Sequence, residues 1–279
     1  MKRRMWAWAA AAVLGGAAVG LAAGPAQAAP GCPDVHWIGV AGSGERDDPT
    51  VDAGMGRVVY NSLRDLGGWV QQDGRTMTAE AVVYPAAPVP ADGDLLGWGG
   101  FMSSVDAGVA ALANQYAAFT QQCPSSKVVL AGYSQGAMVV HRNLAPLAGS
   151  PNLVAALLVA DGDRLPTDPT LNLGTATAIR GGGKGVAQDW PILAHAPGPL
   201  PATIGNRTIS VCDRGDAVCD YDSDADEVTA TAIAVHTSYA RSSSGGYRWT
   251  RSLYGLLGPS SIPQQTVPVA GSTDGVVHS

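Results

Sequence analysis

Apolar and polar positions along the chain fall into two alternating rhythms: short unbroken apolar runs, and longer stretches with helical spacing. The first run, Val35 to Ala41, reads as a strand ending in Gly42-Ser43-Gly44. Met55, Val59, Leu63 and Leu66 then recur at helical spacing, with Gly67 as the stop. Ala81 to Tyr84 predicts a short strand closed by Pro85. Ser103 with Asp106 resembles a capping box, opening a helix whose Val105, Val109, Leu112, Tyr116 and Phe119 share one face. Val128 to Ala131 is a buried strand, and Ala137 to Leu144 reads as the helix after it. Leu153 to Ala160 and Thr208 to Val211 predict two more strands, and Tyr247 to Leu257 a last helix stopped by Gly258-Pro259. Strands alternating with helices predict an α/β fold: a mostly parallel central sheet sandwiched between helical layers. In such sheets, sites form beyond the carboxyl ends of the strands.

Three stretches break the rhythm. Residues 1–28 join a basic start (Lys2, Arg3, Arg4) to an Ala-rich apolar segment, Trp6 to Ala23, and end in Ala26-Gln27-Ala28. The small-x-small ending favours a cleaved signal peptide over a membrane anchor. The expectation is a secreted, monomeric chain with no membrane span in its mature part, residues 29–258 forming one domain. Leu171 to Ile204 is long and rich in Gly and Pro, with Trp190 inside it; loops of that length are usually functional or mobile. Residues 259–279 read as a flexible polar tail.

Composition narrows the partners. Without the three basic residues of the leader, the balance is 14 basic against 23 acidic residues, a net charge of −9. There is no basic stripe, so no nucleic-acid partner is expected. Four cysteines, Cys32, Cys123, Cys212 and Cys219, in an exported chain argue for two disulfides, with three pairings open. Cys212 and Cys219 are close enough to close a tight loop. No C-x-x-C spacing supports zinc.

The candidate chemistry begins at Gly132-Tyr133-Ser134-Gln135-Gly136, a G-x-S-x-G between a buried strand and a helix. That arrangement is a nucleophile elbow, in which small neighbours let strand and helix pass closely around the serine. A serine alcohol needs an adjacent base, and the base needs a carboxylate to hold its tautomer. The order in such sheets is serine, acid, histidine. Of the later histidines, His141 lies inside the helix leaving the elbow and reads as a surface residue. His195 sits in the Gly/Pro-rich stretch and His278 in the tail, which leaves His236. Among the acidic residues from Asp213 to Glu227, Asp216 stands out because Cys212 and Cys219 bracket it. Asp220, Asp222, Asp224, Asp226 and Glu227 read as an exposed, solvated run. As a calcium loop, that run lacks the glycine at its sixth position (Ala225) and the glutamate at its twelfth (Thr231), so no metal is expected. The oxyanion donors expected are the Gln135 N–H and Ser43, in the glycine-flanked loop after the first strand.

These pieces resemble the cutinase family of secreted serine esterases, which includes cutinases, cutinase-like lipases and related acetylxylan esterases. The matching residues are Cys32-Pro33-Asp34-Val35, Gly42-Ser43-Gly44-Glu45, Tyr84-Pro85-Ala86, Cys123-Pro124, GYSQG, the segment Cys212 to Cys219, and His236 with Tyr239. The resemblance spans roughly Cys32 to Leu257. It implies a compact α/β-hydrolase core, Ser134 as nucleophile, His236 as base, Asp216 as orienting acid, and Ser43 with Gln135 as the oxyanion hole. It also implies disulfides Cys32–Cys123 and Cys212–Cys219, no cofactor, and an ester substrate: lipid, polyester or acylated polysaccharide. This chain differs from small family members in a longer segment before Cys212 and in the 19 residues between Asp216 and His236. Both insertions are expected to border the cleft. Leu95, Leu96, Trp98, Phe101 and Met102 offer an apolar loop for an acyl site, with core packing as the alternative. Competing functions are acyl transfer to another alcohol and non-catalytic binding of a wall component or lipid.

Overall fold

Almost every residue of the central strands is buried, because the sheet is covered on both faces. The computed structural model describes residues 31–90, 94–178, 183–190, 192–193, 198–225, 227–241 and 247–260. The segment read as a signal peptide, most of the tail, His195 and His278 lie outside the described residues. The strands are β1 Val35–Val40, β2 Met77–Ala81, β3 Lys127–Tyr133, β4 Leu153–Val159, β5 Leu171–Leu173 and β6 Thr208–Val211. The helices are α1 Arg57–Gln72, α2 Leu95–Gln122, α3 Gln135–Leu144, α4 Ala202–Gly205, α5 Ala230–His236 and α6 Thr250–Leu256. The six strands form one sheet in the order β2-β1-β3-β4-β6-β5, and each pairing within it is parallel.

The period of two along a strand splits the interior into two cores. Trp37, Val129, Ala131 and Leu157 face α1 and α6, meeting Leu66, Val70 and Leu253. Ile38, Val40, Leu130 and Leu158 face α2 and α3, meeting Val105, Leu112 and Leu144. Full burial of each such Leu or Val contributes roughly 1.5–3 kcal/mol. The three-layer α/β sandwich follows from this double burial.

Two disulfides pin the frame. Cys32–Cys123 joins the residues just before β1 to the end of α2, with Cα atoms 5.6 Å apart. Cys212–Cys219 closes the turn after β6. The chain-entropy model gives the long link about 4–5 kcal/mol and the short one about half that.

Several elements differ from their sequence-based expectation. Helix α1 runs through Gly67 to Gln72, because Val70 continues the buried face of Val59 and Leu66. Strand β2 lies earlier than Ala81–Tyr84: it is an edge strand with partly exposed residues, so no apolar run marks it. Helix α2 begins eight residues before Ser103, where Asp94 accepts a hydrogen bond from the Gly97 N–H at 2.8 Å. Ser103 and Asp106 are therefore interior helix positions. Among the described residues α2 is long and apolar enough to cross a membrane by length and composition, yet its Phe101, Val105, Leu112 and Tyr116 are buried in the α2/α3 core. The described part of the Gly/Pro-rich stretch carries the edge strand β5 and buries Ala176, Ala187, Leu193 and Leu200. The Arg164 guanidinium holds it by donating to Gly183 O, to Asn172 Oδ1 and to Ser210 Oγ.

His141 is a core residue rather than a surface one, at 1% exposure. The whole of α3 is buried, since sheet, α2 and the loop after β4 surround it. Its Nδ1 lies 2.6 Å from Asp161 Oδ2, and Nε2 faces Asp168 at 3.7 Å. Burial opposes the charged ring, but the attraction of Asp161, with Asp163 and Asp168 behind it, prevails and pushes its pKa up to about 9. A folded pKa above the ordinary 6.5 means that its contribution to stability is complete below pH 6.5 and lost as pH rises through about 9. A melting-temperature series across that window is expected to fall in the wild type. The fall is expected to be smaller in His141→Gln.

Candidate active site

Strand β3 delivers Ser134 to the carboxyl edge of the sheet, and α3 starts at the next residue. Ser134 has φ +54° and ψ −120°, a left-handed backbone that a residue with a side chain adopts only under constraint. The constraint is visible on both sides. Ser134 N–H donates to Val159 O at 2.9 Å, while its carbonyl accepts from Ala137 and Met138. A Cβ at Gly132 would overlap the Gly136 carbonyl, and one at Gly136 would overlap the Val40 and Ala41 carbonyls. The two glycines are thus required by backbone contact.

His236 ends α5, and its Nε2 lies 3.0 Å from Ser134 Oγ. Its Nδ1 lies 3.0 and 3.1 Å from the two oxygens of Asp216. The 19 intervening residues do not separate the pair, because the disulfide turn and α5 bring both ends to the same edge. Asp216 is fully buried, and its Oδ1 also accepts from the N–H groups of Val218 and Cys219, at 2.7 and 3.0 Å. Tyr133 fixes the histidine from behind. Its ring stacks on His236 at 5.3 Å and its hydroxyl donates to the His236 carbonyl at 2.8 Å. Burial pushes the Tyr133 hydroxyl pKa well above its ordinary value, so it stays a donor. Tyr239 steadies the acid loop by accepting from the Asp213 N–H at 2.7 Å.

Ser43, Ser134 and His236 line one cleft of about 570 Å³. The Ser43 hydroxyl oxygen is buried and has no hydrogen-bond partner among the described residues. Its loop is held by Glu45, whose carboxylate accepts from Gly42 N–H at 2.7 Å and from Arg57 N–H, at the start of α1, at 3.3 Å. Burial raises the Glu45 pKa, with those two amides opposing. The apolar part of the cleft wall comes from Val51, Val58, Val89, Tyr133 and Ala240.

The expected acyl-site residues are elsewhere. Leu95 to Met102 form the first turns of α2 rather than a loop, and Phe101 is core. Trp98 packs edge-on against Trp190 and Phe101, while Leu95 and Leu96 are exposed. Among the described residues, none between Leu171 and Ile204 lines the cleft. Asp220 is half-buried rather than part of a solvated run, because it accepts from Gly183 and Gly215 N–H. Sequence reasoning missed the roles of Tyr133 and Glu45. Tyr133 reaches the His236 carbonyl and Glu45 reaches the Arg57 N–H of another element as well as Gly42 in its own loop, and no local pattern announces those distant contacts.

A serine on a strained turn after a central parallel strand, hydrogen-bonded to a histidine supplied later in the chain, is the architecture of the α/β-hydrolase fold. Residues 31–249 match the family model described as Cutinase, and the chain belongs to that family. An acetylxylan esterase 2 from Talaromyces purpureogenus is 35% identical over 124 residues, covering 43% of this chain and 45% of the relative. A phospholipase Culp4 from Mycobacterium tuberculosis is 30% identical over 199 residues, covering 70% and 72%. The chain spans about half the length of several curated relatives it matches. A solved cutinase-like protein from Cryptococcus sp. shares the fold, with a TM-score of 0.57 and 21% identity over 82% of this chain and 98% of that one.

Proposed function

We propose that this chain is a secreted serine carboxylic-ester hydrolase working through an acyl-enzyme on lipid or polyester esters. The observation that carries the reading is the hydrogen-bonded line Ser134 Oγ, His236 Nε2, His236 Nδ1, Asp216. His236 Nε2 takes the Ser134 proton as Oγ attacks the ester carbonyl, and Asp216 stabilises the imidazolium. Negative charge then develops on the carbonyl oxygen, where the Gln135 N–H and the unpartnered Ser43 hydroxyl are the donors. Collapse of the intermediate expels the alcohol, which leaves with the proton from His236. Water attacks the acyl-enzyme, His236 accepts its proton, and the acid departs as Ser134 Oγ regains its hydrogen.

The apolar wall formed by Val51, Val58 and Val89 suits an acyl chain lying beside Ser134. The disulfides fit an oxidising compartment, in keeping with export by the segment 1–28. A second reading, de-esterification of an acetylated polysaccharide, is favoured by the match to an acetylxylan esterase. Turnover of p-nitrophenyl esters from acetate to palmitate, with triglyceride, cutin and acetylated xylan alongside, separates them. The lipid or polyester reading expects activity beyond acetate and release of acid from triglyceride or cutin. Activity confined to acetate and acetylated xylan supports the second reading, and a folded protein inert on all of them contradicts both.

A further inference from the structure

Behind the cleft, the two halves of the proposed oxyanion hole meet in one partly buried knot. Ser104, on the inward face of α2 and 2% exposed, accepts from the Ala87 N–H at 3.0 Å and donates to Gln135 Oε1 at 3.4 Å. Gln135 closes the ring by donating Nε2–H to Ala87 O at 3.3 Å. One residue back, Ala86 sits at φ +48°, a left-handed backbone for a residue with a Cβ. Its carbonyl accepts from the Gly44 N–H at 2.7 Å, next to Ser43. The Tyr84 hydroxyl ties the same loop to Ala41 O at 2.5 Å. The residue after the nucleophile and the loop bearing Ser43 are therefore connected through Ala86-Ala87. Ser104 reaches this connection from a separate element, α2, and bonds both Ala87 and Gln135.

We infer that Ser104 is a positioning residue for catalysis, keeping the Ser43 and Gln135 donors in register. The inference rests on the esterase reading above. A strained backbone such as Ala86 persists only where its surroundings over-determine it, and Ser104 supplies the buried acceptor for the adjoining N–H. Without the Ser104 hydroxyl that half-buried N–H loses its acceptor. The loop then relaxes, moving the Ala86 carbonyl and with it Gly44 and Ser43. Oxyanion donors act through alignment on charge that exists only in the transition state. The defect therefore falls on kcat rather than on KM.

Steady-state kinetics on p-nitrophenyl butyrate test this. Loss of a whole oxyanion donor costs about 100- to 1,000-fold, so misalignment in Ser104→Ala is expected to lower kcat about ten-fold, with KM within about two-fold. Ser104→Thr keeps the hydroxyl and restores most of the loss, while Ser103→Ala, on the exposed side of the same helix, changes neither constant. Gln135→Ala retains its backbone N–H but breaks the same ring. The Ser104→Ala/Gln135→Ala double variant is expected to be no slower than the worse single variant, because the two act as a unit. Ser104→Cys fills the same space with a poorer hydrogen-bonding group and reads out the loss if Ser104→Ala does not fold. A kcat within two-fold of wild type in either folded variant, or losses that multiply in the double variant, overturns the assignment while the esterase reading stands. An inert wild type, or Ser134→Ala as active as wild type, overturns the esterase reading and this one with it.

Discussion

Replacing Asp216 by asparagine is expected to lower kcat by about 10,000-fold while the fold survives. The reason lies in what Asp216 already bonds. Its Oδ1 accepts from the Val218 and Cys219 N–H groups inside the disulfide turn. An asparagine keeps its carbonyl oxygen on those donors, because turning its NH2 toward them would set donor against donor. Its NH2 then faces His236 Nδ1, which must accept rather than donate. The ring proton moves to Nε2, the atom 3.0 Å from Ser134 Oγ. A histidine that donates to the serine cannot remove its proton. The cleft walls are untouched, so KM stays within a few-fold. Kinetics on a short p-nitrophenyl ester with a melting curve beside them check this. A loss below ten-fold in a folded variant would mean that Asp216 does not set the His236 tautomer.

The second large effect is expected from Ser134→Ala, a loss of about a million-fold in kcat if the triad acts as a unit. Folding is expected to be unchanged. The hydrogen bonds that hold the elbow use the Ser134 backbone, to Val159 on one side and from Ala137 and Met138 on the other. Alanine carries the same Cβ at the same positive φ, so the strain is neither added nor relieved. Thermal denaturation near wild type together with absent turnover is the expected pair of results. Turnover surviving within a hundred-fold would place the nucleophile elsewhere.

How far the sequence reaches differs by element, and the physical reason is consistent. Strands β3 and β4 are legible because a parallel strand covered on both faces becomes a continuous apolar run. Strand β2 at the sheet edge has no such run, and its boundaries are misread. Helix α2 hides its start behind Gly97, Gly99 and Gly100, since glycine is a poor helix former and the Asp94 cap is a single side chain. Ser134 is legible in GYSQG because the close approach of strand and helix demands glycines. His236 and Asp216 are singled out by chain order and by the disulfide bracket. His141 shows the limit of that reasoning: elimination disposes of it as a base but says nothing of its burial between Asp161 and Asp168. Tyr133, Glu45 and Ser104 stay silent for another reason. Each acts on backbone groups brought near by the topology, and a sequence does not display which carbonyl or N–H will arrive.

The two segments read from the sequence as insertions differ in structural terms. The segment between Asp216 and His236 contributes Asp220 as a strut for the Gly183 and Gly215 amides, and α5 as the carrier of His236. The stretch before Cys212 adds the edge strand β5 and packs Trp190 against α2 and Tyr221. Among the described residues, neither segment lines the cleft before His236 itself.

On this reading Ser134 is an activated nucleophile. Incubation of the folded protein with a fluorophosphonate, followed by intact-mass and peptide mass spectrometry, tests it most directly. The expected result is one adduct per chain, mapped to Ser134 and absent from Ser134→Ala. A folded wild-type protein that takes up no label, or takes it up on another residue, would contradict it.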